Sequence, residues 1–372
     1  MNILICPDKF KDSLKAFEVA NALKTGILSQ IPNAHIDCLP LADGGEGTLA
    51  AIESIEKVEK IRLTVRNPLL KSIKASYLFN VEHQTAYIEM AQASGIELLS
   101  MSERNPMQTS TFGTGELILH ALQKGAKRIY LFVGGSATND GGMGMACALG
   151  YEFLDEKNHP LEGKGINLGN IQSIQPSRLL PKIKHIEFFV ATDVENPLVG
   201  PNGASAVFGP QKGANEEMIR YLDNSLNNLH RVCIRDLQSN PSILLGKGSG
   251  AAGGLGAGAQ YFLNAKLISG ADYLLDKFEF EKLIPQYDLI ITGEGKIDHQ
   301  TWGGKLISKI VDSSKSKKIV LVCGVNETQS DHTVFQIIQM APNKEEAIQN
   351  ASTYLIQIGK EVAATILSSG KI

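Results

Sequence analysis

The sequence lacks the long apolar runs and the excess of basic residues that mark two large classes of protein. No run approaches the ~18 apolar residues of a membrane-spanning helix, and residues 1–6 lack the basic start of a signal peptide. The net charge of −3 provides no basic field for nucleic acid or for an anionic membrane surface. We therefore expect a cytoplasmic protein with no nucleic-acid or membrane partner, and its oligomeric state stays open.

The sequence also lacks the usual cysteine and nucleotide-binding signatures. Its five cysteines are widely spaced and form no Cys-x-x-Cys pair, which argues against a thiolate metal site and a disulfide framework. Neither a Walker A motif nor the protein-kinase motifs are present, so a kinase of this sequence must hold phosphate in another way.

Glycine, in contrast, is abundant and clustered. There are 36 glycines in 372 residues, above the usual ~7%. The clusters lie at residues 44–47, 134–142, 246–258 and 293–295, beside strand and helix patterns. They are typical of ligand-binding turns rather than of a flexible linker.

The hydrophobic pattern predicts two α/β domains. A β-α-β-α pattern opens the chain, with strands at 2–6 and 35–39, and this alternation predicts a parallel sheet with ligands at its carboxyl edge. The alternation returns after residue 287. We therefore predict one domain from residues 1–66 and 287–372, interrupted by a second domain at 67–286.

Two helix starts are predicted from capping residues. Ser13 is expected to cap the first helix, and Asn215 a helix that carries an apolar stripe from Met218 to Cys233.

The most informative stretch is residues 133–143. It joins a predicted buried strand at 129–133 to a predicted helix at 143–149. Glycine lets backbone N–H groups crowd around an anion, and a helix N-terminus adds positive charge. Asp140 could hold a metal ion or accept a proton there, and a purely structural turn is an equally good interpretation.

Further carboxylates and lysines occur in similar turns. Phosphoryl transfer needs phosphates held in line, cations that neutralise their charge, and a carboxylate that orients the acceptor hydroxyl. Candidate carboxylates are Asp43, Asp193, Glu294 and Asp298, and candidate cations include Lys11 and Lys212. For Asp193 an Asx turn before Pro197 is the structural alternative, and for each lysine it is a solvated surface position.

Residues 248–253 also match the Gly-x-Gly-x-x-Gly pattern of dinucleotide-binding proteins, with Asp272 downstream as a ribose contact. The preceding strand candidate is very short and the segment is glycine-rich throughout. A chance match is the better interpretation.

Taken together, the motifs resemble the type I glycerate kinase family. The resemblance is carried by residues 7–14 (PDKFKDSL), 42–48 (ADGGEGT), 134–142 (GGSATNDGG), 191–198 with 211–214, 250–256 (GAAGGLG), and 292–305. The blocks occur in order from the N-terminus to about residue 305. The sequence departs from the family at Lys9, where serine is usual, at Asp12, where glycine is usual, and after Lys305, where a proline is usual.

The resemblance implies a flavodoxin-like domain interrupted by a second, restriction-endonuclease-like α/β domain. It also implies ATP-dependent phosphorylation of D-glycerate in an interdomain cleft, with Mg²⁺ as the cation. We expect 2-phosphoglycerate as the product, with 3-phosphoglycerate as a further option. A kinase of a related hydroxy acid and a non-catalytic nucleotide sensor are the alternatives.

On this basis we assign roles to individual residues. Asp193 is the expected base, Glu294 and Asp298 are expected to hold Mg²⁺, and Asp43, Asp140 and Lys11 complete the catalytic set. The residues expected to contact nucleotide or substrate are Gly134, Gly135, Ser136, Thr138, Asn139, Lys212, Gly253, Gly254, Gly293 and Gly295.

Overall fold

The computed structural model describes residues 1–42, 44–178 and 183–368. The strands are β1 Asn2–Ile5, β2 His35–Cys38, β3 Glu59–Arg66, β4 Ser72–Asn80, β5 Thr85–Glu89, β6 Arg128–Phe132, β7 Glu152–Leu154, β8 Ser173–Gln175, β9 Glu187–Ala191, β10 Lys266–Ile268, β11 Leu289–Ile297, β12 Lys318–Asn326 and β13 Thr333–Gln336. The α-helices are α1 Ala16–Gln30, α2 Thr48–Ile55, α3 Ala91–Ser94, α4 Phe112–Gln123, α5 Met143–Ala148, α6 Ala204–Phe208, α7 Glu216–Leu237, α8 Ala251–Leu263, α9 Gly270–Lys277, α10 Phe280–Leu283, α11 Leu306–Ser313, α12 Lys344–Gln349 and α13 Ala351–Ser368.

Short 3-10 helices complete the secondary structure, at Ile96–Leu98, Met101–Glu103, Gly165–Asn170, Pro210–Lys212, Pro241–Leu245, Ile284–Gln286 and Ile337–Gln339. None of the helices in the described part of the chain combines the length and apolarity that a bilayer crossing requires.

The chain divides into two compact units, and the first is discontinuous in sequence. It comprises Met1–Asp43 and Gly270–Ile372. Its sheet has the strand order β13-β12-β11-β1-β2, and every pairing is parallel. Numbered within this unit the order is 2-1-3-4-5, a doubly wound arrangement in which the order reverses between β1 and β11.

Apolar residues of β1 and β11 build the core of this unit together with helices α1 and α13. The two helices approach closely because Gly26 and Gly359 face each other. A Cβ added to Gly26 would lie 2.9 Å from the Cα of Gly359.

The second unit is the continuous segment Gly44–Ser269. Its main sheet has the order β10-β9-β6-β5-β4-β3. The first four strands pair in parallel, whereas β4 pairs antiparallel with both β5 and β3. Ile88, Leu131 and Val190 lie on one face and join a core that includes residues of α4, α5 and α8. The predicted mixed α/β fold with parallel sheets is confirmed.

The boundaries between the units differ from the predicted ones at 66/67 and 286/287. Residues 59–66 form β3, which pairs with β4 over its whole length, so they belong to the second unit. Asn67, expected near a domain crossing, instead lies in the β3–β4 turn, where its Oδ1 accepts hydrogen bonds from the N–H groups of Leu69 and Lys71. At the other boundary, α9 and α10 belong to the first unit.

One of the two predicted helix caps is confirmed. Asn215 Oδ1 accepts a hydrogen bond from Met218 N at 2.9 Å and begins α7. The prediction for Ser13 is wrong, because α1 begins at Ala16 and the Ser13 hydroxyl donates to the carbonyl of Ile348. That carbonyl lies far away in sequence, so the local pattern could not indicate it.

Candidate active site

Four parallel strands of the second unit end in line at one sheet edge. The register pairs Glu89 of β5 with Phe132 of β6, Phe132 with Ala191 of β9, and Ala191 with Ile268 of β10. Because parallel strands end at the same edge, the residues that follow them lie side by side. This edge therefore carries Glu89, the 134–140 loop, Asp193 and Ser269.

The glycine loop that follows β6 packs against a second glycine loop. A Cβ added to Gly134 would lie 2.4 Å from the Cα of Gly45, so this contact excludes any side chain at position 134. Gly135 has a positive φ of 74°, which favours glycine. Its carbonyl accepts from the N–H of Ile96, so the loop is fixed from a neighbouring segment as well.

The carboxylate of Asp140 anchors the end of this loop through hydrogen bonds. It is fully buried, and its Oδ2 accepts from Thr111 N (2.7 Å), Thr111 Oγ1 (2.8 Å) and Gly144 N (3.1 Å). Its Oδ1 accepts from Gly142 N at 3.2 Å. Burial raises the pKa of Asp140, and these hydrogen bonds oppose that rise because they stabilise the carboxylate. The carboxylate therefore ties the start of α5 to the start of α4.

Lys212 lies under the same loop and is only 1% exposed. Its Nζ donates to Ser136 Oγ at 2.8 Å and to the carbonyl of Thr138 at 2.7 Å. Burial lowers the pKa of Lys212 to about 7, although the charge of Asp140 opposes that change. The solvated-surface interpretation is therefore wrong for Lys212.

Thr138 and Asn139 present polar atoms without a hydrogen-bond partner among the described residues. Both side chains are fully buried, and Thr138 Oγ1 and Asn139 Oδ1 have no acceptor or donor there. The amide nitrogen of Asn139 does donate, to Ser205 Oγ at 3.0 Å. Buried polar atoms normally find partners, so these two oxygens are available to a ligand or to water.

Gly253 and Gly254 support the loop from α8. With Ala252 they form three successive residues of positive φ (53°, 68° and 87°). A Cβ on Gly253 would lie 2.0 Å from the carbonyl oxygen of Thr138, and the N–H of Gly141 donates to the carbonyl of Gly253. These glycines therefore allow two backbone segments to touch, which is a packing role.

Asp193 follows β9 and is held by a neighbour. Its Oδ1 accepts a hydrogen bond of 2.6 Å from Ser269 Oγ, which follows β10. Asp193 is half-buried, so one oxygen is oriented by protein while the residue keeps access to solvent.

The first unit presents a second polar edge, where the strand order reverses. The N–H of Asp8, after β1, donates to the carbonyl of Gly293 in β11. A Cβ on Gly295 would lie 3.0 Å from Lys11 N, so the two chain segments run in contact. Lys11 is exposed, and Lys9 is half-buried with its N–H on Asp8 Oδ1 at 2.6 Å. Asp12 has a φ of 62°, which accounts for the usual glycine at this position in the family.

Glu294 lies within β11, and Asp298 directly follows that strand. Burial raises the pKa of Asp298, but the N–H of Gln300 and the charge of Lys296 outweigh it, so the pKa is lowered overall. Lys296 Nζ lies 3.6 Å from Asp298 Oδ2 and 2.9 Å from Glu327 Oε2. Outside the undescribed positions, no group of three or more His, Cys, Asp or Glu side chains forms a ready-made metal cage.

The remaining sequence expectations divide as follows. Asp43 lies outside the described residues. The dinucleotide interpretation of residues 248–253 fails because a 3-10 helix, Pro241–Leu245, precedes the segment instead of a strand. Asp272 lies in α9 and pairs with Lys309, at 2.5 Å.

Glu89 and Ser269 were not expected from the sequence. Glu89 is 3% exposed, and its carboxylate accepts from the N–H groups of Gly47 (3.1 Å) and Leu49 (2.9 Å). The available signal was an acidic residue at the end of an otherwise apolar strand. Ser269 had no comparable signal, since its partner Asp193 is distant in sequence.

Comparison with known proteins is consistent with this geometry. The model of the glycerate kinase family matches residues 3–367. The glycerate kinase of Halalkalibacterium halodurans is 40% identical, over 97% of both chains. The glycerate 2-kinase of Escherichia coli is 39% identical, over 98% of both. A crystal structure from Salmonella typhimurium, provisionally named glycerate kinase 2, superposes with a TM-score of 0.80 at 39% identity over the whole of both chains.

Proposed function

The chain belongs to the glycerate kinase family, a family of kinase enzymes, and we propose that it transfers the γ-phosphoryl group of ATP to the 2-hydroxyl of D-glycerate. The products are ADP and 2-phosphoglycerate. The name of the E. coli relative, glycerate 2-kinase, supports this choice of hydroxyl. The observation that carries the proposal is Asp193, an oriented carboxylate at the same sheet edge as a glycine loop built over a buried lysine.

Asp193 is the proposed base. As the substrate hydroxyl oxygen bonds to the γ-phosphorus, the bond from that phosphorus to the bridging oxygen of ADP breaks, and the hydroxyl proton passes to the carboxylate. Such a group contributes about 10²–10⁴ in rate. Ser269 donates to Oδ1 and thereby orients the carboxylate.

Lys212 and the 134–139 backbone form the proposed anion site of the second unit. Charge neutralisation and backbone donors are what phosphoryl transfer needs most from protein. Thr138 and Asn139, whose Oγ1 and Oδ1 are buried without a partner among the described residues, are proposed to contribute to this site. Asp140 is proposed to act indirectly, by holding this loop, because its oxygens are already used by backbone and threonine donors.

In the first unit, Lys9, Lys11, Gly293 and Gly295 are proposed to line the phosphates. Mg²⁺ usually takes one or two carboxylates and completes its shell with phosphate and water. Glu294 and Asp298 fit that pattern as oxygen donors, and the lowered pKa of Asp298 keeps it ionised. When bound, Mg²⁺ supplies positive charge to the phosphates. Asp43 keeps its proposed catalytic role.

We also propose that the first unit is flavodoxin-like and the second restriction-endonuclease-like. The all-parallel 2-1-3-4-5 strand order supports the first name. The mixed six-stranded sheet of the second unit is the feature on which we base the second name.

Proton-coupled phosphorus NMR of the product tests the function. The enzyme is incubated with ATP, Mg²⁺ and D-glycerate, and the new phosphate ester resonance is examined. Phosphate on the 2-oxygen couples to one proton and gives a doublet, whereas phosphate on the 3-oxygen couples to two protons and gives a triplet. Transfer to another hydroxy acid but not to glycerate would support the related-kinase alternative. Binding of ATP without transfer to either would support a sensor.

A further inference from the structure

A buried carboxylate at the edge of the candidate site, to which no role has been assigned, faces the start of helix α2. Glu89 is the last residue of β5 and is 3% exposed. Helix α2 begins at Thr48, directly after the Gly44–Gly47 loop that the family resemblance singles out. Glu89 therefore lies where it can act on that loop.

Glu89 caps this helix from another strand. The first N–H groups of a helix have no partner within it, and the residue at the cap position, Gly47, has no side chain to offer and a φ of 101°. Glu89 Oε1 accepts from Gly47 N at 3.1 Å and from Leu49 N at 2.9 Å. Oε2 accepts from Gln92 Nε2 at 3.4 Å. A negative charge here also complements the helix dipole.

The capped loop in turn packs against the glycine loop of the anion site. Gly45 and Gly134 are in direct contact, as the 2.4 Å distance for an added Cβ indicates. Thr48 ties the loop to the helix, because its hydroxyl donates to the carbonyl of Gly45 at 2.7 Å. Displacement of the Gly47 and Leu49 amides would therefore be transmitted to Gly45 and to Gly134.

The contacts of Glu89 distinguish this role from direct catalysis. Both oxygens are engaged by N–H donors, and the residue is nearly inaccessible. Burial raises the pKa of Glu89, while the bonds from Leu49, Gln92 and Gly47 oppose that rise. A carboxylate held in this way has little capacity left for a substrate or a metal ion.

We propose that Glu89 is a positioning residue of the kinase, which holds the Gly44–Gly47 loop against Gly134 by capping α2. The proposal rests on the proposed function, because it assigns that loop to the reacting site. It predicts that the neutral acceptor glutamine substitutes well for Glu89 and that alanine does not.

The kinetic test compares Glu89→Gln with Glu89→Ala. The amide oxygen Oε1 of glutamine can still accept from both backbone N–H groups, so kcat and the KM for glycerate should stay within about 3-fold of wild type. Alanine should lower kcat/KM by about 10²-fold, the scale expected when a reacting group is displaced by ~1 Å. If Gln is as damaging as Ala, the charge itself is required and the positioning role is overturned. Normal activity of Glu89→Ala would also overturn it.

Amide hydrogen exchange tests the cap without any activity. Exchange at Gly47 and Leu49 should accelerate about 5-fold in Glu89→Ala, the change expected for about 1 kcal/mol of lost capping. It should stay near wild type in Glu89→Gln. Unchanged exchange in Glu89→Ala would refute the cap even if the enzyme phosphorylates glycerate. Faster exchange in a protein that does not phosphorylate glycerate would refute the proposed function, and with it the catalytic meaning of the cap.

Asp236→Ala is the matched control. Asp236 is also a carboxylate that accepts a backbone N–H from another element of the same unit, Ile174 N at 2.8 Å. Its loss should lower stability but leave exchange at Gly47 and Leu49 and kcat/KM unchanged. A similar kinetic loss in this control would mean that general destabilisation, not the cap, explains Glu89→Ala.

Discussion

Replacement of Lys212 by methionine should stabilise the protein and abolish its activity. The side chain is 1% exposed, and its pKa is lowered from 10.5 to about 7 by burial. Each unit of pKa shift corresponds to ~1.4 kcal/mol, so the buried ammonium costs at most about 5 kcal/mol at pH values below 7. Methionine fills a similar volume without charge.

The pH dependence follows from the sign of this shift. Between pH 7 and 10.5 the unfolded lysine holds its proton while the folded lysine has released it. The unfolded state therefore binds more protons, and the free energy of unfolding of the wild type rises with pH in this window. Below pH 7 both states are protonated, and the full cost is present.

The substitution also removes two hydrogen bonds. Ser136 Oγ and the carbonyl of Thr138 lose their donor, at a combined cost of about 2–3 kcal/mol. We therefore expect Lys212→Met to be more stable than wild type by about 2 kcal/mol at pH 6.5. Because the wild type gains ~1.4 kcal/mol per pH unit above pH 7, the advantage should be gone by about pH 8.5.

Urea unfolding at pH 6.5, 8 and 9.5 measures this difference. Lys247→Met is the control, because Lys247 is an exposed lysine paired with Glu195, and its removal should give no such slope. A stability difference between Lys212→Met and wild type that is constant across this range would refute the reasoning, since it would mean that Lys212 titrates normally. Turnover of glycerate should fall by at least ~10²-fold in Lys212→Met, and normal turnover would remove Lys212 from the site.

Three further predictions concern the same unit. Asp193→Asn should lower kcat by about 10²–10⁴-fold. Ser269→Ala should lower it by about 10-fold, because the Ser269 hydroxyl orients Asp193. Both losses are measured in a coupled ADP assay. Ala252→Gly should raise the free energy of unfolding by up to ~1 kcal/mol, because Ala252 has a φ of 53°; thermal unfolding measures it. Binding of an anionic ligand beside Lys212 should restore its proton, with uptake of more than ~0.5 proton at pH 8; calorimetry in buffers of different ionisation enthalpy measures the uptake.

Each of these predictions has a contradicting outcome. Near-normal turnover of Asp193→Asn would exclude it as the base, and a Ser269→Ala loss equal to that of Asp193→Asn would mean that Ser269 does more than orient it. Ala257→Gly, in the regular part of α8, should destabilise by about 1 kcal/mol or more. Destabilisation by Ala252→Gly would show that position 252 is unstrained. Binding without proton uptake would mean that the ligand does not reach Lys212.

The expectation that Asp43, Asp140, Asp193 and Asp298 converge on one reacting site stays a prediction. Double-mutant cycles test it, because groups that share a reacting substrate show strongly non-additive losses in kcat. Asp193→Asn combined with Asp298→Asn is the informative pair, since the two residues belong to different units. Fully additive losses would argue against a shared site.

Much of the fold could be predicted because its signals are local. Short apolar runs indicated strands such as β1, β2 and β6, and the side chain of Asn215 marked the start of α7 correctly. The domain boundaries were misjudged because they depend on pairing between distant strands. Residues 59–66 belong to the second unit only because β3 pairs with β4, and nothing within those residues specifies that partner.

For the candidate site, the sequence by itself determined the chemistry of the loops, and only the tertiary structure decided what each side chain does. Glycine at positions 134 and 253 and carboxylates at 140 and 193 could be identified from residue type and spacing. The burial of Lys212 and the use of Asp140 as an anchor required the folded chain, as did the partnership of Asp193 with Ser269 and the cap formed by Glu89. The reason is physical: burial and hydrogen bonding depend on strand register and loop packing, which bring distant residues together. Glu89 and Gly47 are 42 positions apart in the sequence, and Ser269 and Asp193 are 76 positions apart.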